Sequence, residues 1–257
     1  MRISIWAALA GCALLFPATG RCGITLITDF DGNGVQPAVT IFRQPSFSGS
    51  TGGFLAATPN LAATSTSQAS SGTKSLNVQW AFKDTGVNDW LRLTTSGYNP
   101  VIDAGGALTM KVLLTSNDPL QVCLGVRERV YTSDPPLGSI GAGSGSTIEW
   151  VGATGKTSGA PVCTHTITPG AWQDLTFIIP SEPIFSFNAG NGVINPTFGK
   201  VDLEHLAFRI PGGSANPVNL YIDDIQTRSL DTIPEPGTLA LLVTGLLPLL
   251  GLRRRTR

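Results

Sequence analysis

Asp202 and Glu204 stand two residues apart in the stretch VDLEHLAFRI, a spacing that puts both carboxylates on one face of a β-strand. Two carboxylates about 5 Å apart are what a retaining glycoside hydrolase uses, one as nucleophile and one as acid. Asp174 with a neighbour offers a second pair of this kind. Neither pair stands in a supporting motif: the chain has no Gly-x-Ser-x-Gly elbow, no His-Glu-x-x-His and no phosphate loop. With only His165 and His205 to supply a base, a Ser/His/Asp triad is hard to assemble. The sequence reads as non-enzymatic, a polysaccharide-active hydrolase or lyase being the alternative.

Binding chemistry is better represented. In DWLRLTT the residues Leu91 and Leu93 take one strand face, which leaves Trp90, Arg92 and Thr94 on the other. A flat indole suits the C–H face of a sugar ring, while nearby polar groups meet its hydroxyls. By the same alternation Lys111, Gln121, Arg127 and Arg209 lie opposite the core, with Tyr221 near the end. Trp90, Arg92, Lys111, Gln121 and Arg127 are the expected ligand residues if one sheet gathers them into a shallow glycan cleft. The other reading is a solvated sheet face with one exposed tryptophan. Trp80 shares its face with Leu76, Val78 and Phe82 and belongs to the core, whereas Trp150 is ambiguous.

Short alternating runs must position these residues. KSLNVQWAF, ALTMKVLLTS, LQVCLGVRE, DLTFIIP, EHLAFRI and NLYIDDIQ each place apolar side chains at every second position. Turn signals such as Asp103-Ala104-Gly105-Gly106 and Pro211-Gly212-Gly213 separate them, and 30 Gly and 18 Pro punctuate the chain. Many one-sided strands with no helical stretch between them predict an all-β, two-sheet antiparallel jelly-roll sandwich over residues 21–231. Two small, polar stretches, 47–73 and 133–146, read as long loops.

Both ends read as something other than fold. Arg2, the apolar run Ile3–Phe16, Pro17 and Ala18-Thr19-Gly20 form a secretory signal peptide over residues 1–20, which implies the Sec machinery and signal peptidase as partners. Leu9-Ala10-Gly11-Cys12 also fits a lipoprotein box, on a very short leader. At the other end, residues 237–252 are apolar apart from Thr238 and Thr244 and would span roughly 24 Å as a helix. A helix apolar all round, followed by Arg253, Arg254, Arg255 and Arg257, predicts a short transmembrane helix whose basic end stays in the cytoplasm.

The nominal net charge of zero is therefore misleading. Without Arg2 and the four tail arginines, 12 basic residues face 17 acidic ones, a net of about −5. No basic patch with interleaved aromatics exists, so nucleic acid is not expected as a partner. In an exported chain Cys123 and Cys163, both in strand-like runs, allow one disulfide and leave Cys22 over. No cysteine or histidine cluster suggests zinc.

Three stretches, ITDFDGNG, GAWQDLTFIIP and NLYIDDIQ, together resemble the opening, Trp-bearing and closing strands of galactose-binding-like jelly rolls, the fold of many carbohydrate-binding modules. That resemblance implies a structural calcium ion between the first and last strands, here matched by Asp29, Asp31, Asp223 and Asp224. Oxygen ligands of this kind suit calcium, which takes six to eight of them.

The segment 232–257 resembles the PEP-CTERM sorting signal of Gram-negative bacteria that make extracellular polysaccharide. Pro234-Glu235-Pro236, the apolar run and the terminal arginines stand in that signal's order, with Ile233 where Val is usual. The resemblance implies recognition by the membrane protease-transpeptidase exosortase, with the protein membrane-anchored before processing and then at the cell surface or in the matrix. The expectation is an exported, sorted, non-catalytic jelly-roll protein that binds extracellular polysaccharide, or a purely structural or adhesive matrix protein.

Overall fold

Leu76, Val78, Trp80 and Phe82 are all buried on one face of a strand, as their alternation requires. The computed structural model describes residues 23–36, 41–95, 97–141 and 147–230. The expected signal peptide (1–20) and sorting segment (232–257), with Pro234, Glu235, Pro236, the apolar run and the tail arginines, lie outside the described residues. Among the described residues no helix is long and apolar enough to cross a membrane.

The strands, in chain order, are β1 (Ile24–Thr28), β2 (Leu55–Ser65), β3 (Ser75–Phe82), β4 (Leu91–Thr94), β5 (Val101–Asp103), β6 (Ala107–Leu114), β7 (Leu120–Arg127) and β8 (Ile148–Val151). They continue as β9 (Ala153–Thr157), β10 (Ala160–Cys163), β11 (His165–Ile167), β12 (Gln173–Ile178), β13 (Ile184–Asn188), β14 (Lys200–Arg209) and β15 (Val218–Arg228). One antiparallel sheet has six strands in the order β12-β6-β15-β3-β2, with β1 also paired to β15. The other has seven, β13-β8-β7-β14-β4, with β11 on β7 and β5 on β14. The β9–β10 hairpin forms a separate ribbon. This is the two-sheet sandwich that the alternating runs predict.

The core lies between the sheets. Met110, Val112, Leu220 and Ile222 of the six-stranded sheet and Leu91, Leu124, Leu206 and Phe208 of the seven-stranded sheet belong to one buried cluster. Trp80 and Phe208 bring their rings within 5.6 Å across the sandwich. Each large apolar side chain buried this way contributes about 1.5–3 kcal/mol.

One irregularity shapes everything outside that core. Val201 and Leu203 point inward, and so do Leu206, Phe208 and Ile210, although strict alternation forbids both sets on one face. The register against β7 shifts between Leu203 and His205, so Glu204 is an extra residue in β14. This β-bulge re-aims the strand and sends both Glu204 and His205 to the outer face.

Candidate functional site on the outer face of the seven-stranded sheet

The bulge delivers Glu204 between two arginines. Arg92 on β4 donates from Nη2 to Glu204 Oε1 at 2.6 Å, and Arg127 on β7 donates from its own Nη2 to the same oxygen at 3.4 Å. His205 reaches the second carboxylate oxygen through Nδ1. The Nε2 of that imidazole accepts the Trp150 indole N–H at 2.8 Å. An accepting Nε2 fixes the neutral tautomer with the proton on Nδ1, which is then donated to Glu204.

Burial alone would raise the Glu204 carboxyl. The neighbouring His205, Arg92 and Arg127 outweigh it and hold the group down at about 2. Burial pushes His205 the other way, below its ordinary 6.5, with Glu204 opposing. We assign an ionised Glu204 and a neutral His205, because the two guanidiniums stay charged at every ordinary pH.

Room for the imidazole comes from Gly125. A Cβ there would lie 2.1 Å from the His205 ring, so no other residue fits without displacing it. Above the ring an aromatic column closes the site. Trp150 and Phe187 stack at 4.5 Å, Trp90 meets both edge-on at 5.6 and 5.8 Å, and the Arg92 guanidinium carbon lies 5.1 Å from the Phe187 centroid. Trp90, Trp150, Ala153, Ala160 and Ala207 form a second buried cluster with Cys123 and Cys163. Those two cysteines are joined in a disulfide, which ties the β9–β10 hairpin onto β7.

Asp202 sits on the same face and is wholly buried. Its carboxylate accepts from Arg129 Nε and from the Tyr131 hydroxyl. The two carboxylates that could have formed a hydrolytic pair are thus each paired with arginine.

Of the five expected ligand residues, the sheet brings Arg92 and Arg127 together. Gln121 is on the same face, opposite Arg209 in the β7–β14 register. Trp90 does point away from the core, but it is 3 % exposed under the Trp150–Phe187 pair, so it packs and offers no platform. Lys111 departs furthest from expectation. It belongs to β6 of the other sheet, where its ammonium pairs with Asp174 at 2.7 Å. Alternation identifies outward residues, but a sandwich has two outward faces. Tyr221 shares that second face, beside an amide ladder in which Gln79 donates to Asn77 and Asn77 to Asn219.

Among the described residues no group of three or more His, Cys, Asp or Glu side chains is placed to hold a metal ion. The four aspartates expected to bind calcium face N–H and hydroxyl donors of the protein instead. Asp29 accepts from the amides of Asp31 and Asn33 and from the Asn33 side chain. Asp31 accepts from Thr73 and Lys74, and Asp223 from the amides of Ser70, Ser71 and Asp224. Asp224 accepts the Ser71 hydroxyl at 2.8 Å. Calcium needs oxygens converging on one point, so the donor set as arranged does not fit the ion. Asp31 clasps the 70–74 loop to the turn after β1, Asp223 and Asp224 clasp it to β15, and Asp29 closes the 29–33 turn on itself.

No protein-family model matches the chain, and no curated protein matches it. Among solved structures, a family 30 carbohydrate-binding module of the Clostridium thermocellum cellulosomal cellulase Cel9D-Cel44B is 16 % identical, covering 75 % of this chain and 93 % of that one at a TM-score of 0.39. A family 11 module from C. thermocellum, in complex with a β-1,3-1,4-mixed-linked tetrasaccharide, is 12 % identical over 82 % of this chain and 99 % of that one, at 0.44. The CBM22-1 xylan-binding domain of Paenibacillus barcinonensis Xyn10C is 13 % identical over 82 % and 94 %, at 0.34. At these identities and scores, none of the likenesses bears on what this chain binds.

Proposed function

We propose that the chain is an exported, non-catalytic glycan-binding protein of the bacterial envelope or extracellular matrix, with its ligand face around Arg92, Arg127 and Phe187. The observation that carries this reading is a surplus of donors. Two guanidiniums converge on one carboxylate and both side chains stay partly exposed, 18 % for Arg92 and 16 % for Arg127, so N–H groups that Glu204 does not use lie within reach of a ligand. Charged N–H donors at a partly open site suit oxygen acceptors. Sugar hydroxyls, or carboxylates of an acidic glycan, supply them, and half-buried Phe187 offers apolar edge to ring C–H groups. Export and exosortase sorting rest on the terminal segments, and the Cys123–Cys163 disulfide suits an oxidising compartment.

The test is a pull-down of the full chain on a panel of neutral and acidic extracellular polysaccharides, with Arg127→Ala beside wild type. Glu204 keeps Arg92 and His205 when Arg127 is removed, so the variant retains its fold. We expect wild type to bind at least one polymer and Arg127→Ala to lose at least tenfold in affinity with little change in Tm. Binding to none, or undiminished binding by the variant, overturns the reading.

A further inference from the structure

A guanidinium meets a carboxylate best through two parallel N–H···O bonds, and a charge taken out of water needs a partner of opposite sign. The outer face of the seven-stranded sheet gathers three guanidiniums, those of Arg92, Arg127 and Arg129, against the carboxylates of Glu204 and Asp202. Asp202 is taken by Arg129 and by the Tyr131 hydroxyl. Glu204 offers one oxygen to both Arg92 and Arg127 and turns the other to His205. Glu128, next to Arg127 in the chain, accepts the Thr147 hydroxyl and the Asn195 N–H instead.

At most two negative charges therefore face three permanent positive ones, with His205 neutral between them. The charge left over falls to Arg127. Its Cα stands opposite that of Asp202 in the β7–β14 register, but that acid is held by Arg129. Among the described residues its side chain makes one hydrogen bond, at 3.4 Å, to an oxygen that Arg92 already holds at 2.6 Å. With 16 % of the side chain exposed, most of its hydration is gone while a path to solvent remains.

We infer that the ligand of this face is a polysaccharide of uronic acids, one of whose carboxylates docks on Arg127 beside Glu204. This rests on the glycan reading above and names the class of sugar. A ligand carboxylate brings the anions level with the three guanidiniums and gives Arg127 the acceptor that Glu204, shared with Arg92, does not supply. A sugar hydroxyl would supply an acceptor and no charge. The selection is local, because without Arg2 and the tail arginines the chain carries a net charge of about −5, which repels a polyanion everywhere else.

The test measures affinity of the full chain for alginate, polygalacturonate and glucuronan, each beside its own carboxyl-reduced form. Reduction keeps the linkages and turns every carboxylate into a neutral CH2OH group. Wild type is expected to bind at least one of the three uronans about tenfold or more tighter than its reduced form, with the preference shrinking as salt is raised. Arg127→Gln abolishes the preference. Lys111→Gln, which removes the same charge from the other sheet, leaves it intact. A preference that survives Arg127→Gln, or one lost in Lys111→Gln, overturns the inference, and so does binding to none of the three uronans. Equal binding of the two forms that still depends on Arg127 overturns it and leaves the glycan reading standing, whereas failure of wild type on the whole panel of neutral and acidic polymers overturns both.

Discussion

Arg92 and Glu204 meet at 2.6 Å with the carboxylate 7 % exposed, and their pairing exists because β14 carries one residue more than β7 opposite it. Removing the acid leaves two guanidiniums uncompensated in a mostly buried site. Glu204→Gln is therefore expected to cost about 3–5 kcal/mol at neutral pH, read by urea unfolding. The gap has a pH signature. Glu204 is held at about 2 against an ordinary 4.5, so its contribution is complete above pH 4.5 and is lost as the pH falls toward 2. The difference between wild type and variant narrows over that window, and a gap constant from pH 7 to pH 2 excludes an ionised Glu204 as its source.

Trp90→Ala is expected to behave as a core mutation. The indole is in edge contact with Trp150 and Phe187 and belongs to the cluster around the disulfide. Its loss leaves a cavity worth about 3–5 kcal/mol, far more than an exposed sugar platform would cost. A Tm close to wild type would instead return Trp90 to the surface.

The sequence-level reading succeeds where period two holds and stops where it breaks. Leu76 to Phe82, Leu108 to Leu114 and Leu120 to Val126 each keep their parity, and all three appear as core strands. β14 changes parity between Leu203 and Leu206. The alternation of EHLAFRI alone does not contain that change, and the register shift opposite β7 reveals Glu204 as the inserted residue. Which outer face a residue occupies is not written in alternation at all. Lys111 and Arg127 have identical local patterns, and only the long-range pairing of β6 with β15 and of β7 with β14 separates them. The covering of Trp90 was equally hidden, because the rings above it come from β8 and β13, far along the chain.

The acids at the two ends of the fold give a metal test with a defined sign. Burial and the nearby Asp224 raise the Asp223 carboxyl to about 6 despite its amide donors. A cation held by Asp223 would keep it ionised and push it down. We expect a chelator to leave Tm unchanged and added calcium to raise it by no more than a degree. A fall of several degrees with chelator, restored by calcium, would show that Asp29, Asp31, Asp223 and Asp224 rearrange around an ion.

Cys123 and Cys163 are 40 residues apart, and closing a loop of that length removes unfolded-state entropy worth about 4 kcal/mol. The bond also fixes the β9–β10 hairpin over β7, where Ala153, Ala160 and Cys163 pack against Trp90 and Trp150. Reduction should therefore act twice. It lowers Tm, and it frees the hairpin packed against Trp90 and Trp150, seen as faster hydrogen exchange in residues 153–163 before global unfolding. Cys123→Ser with Cys163→Ser should reproduce both effects without reductant. If the double variant melts at the wild-type temperature, the hairpin is held by its side-chain packing alone and the disulfide contributes nothing to the site.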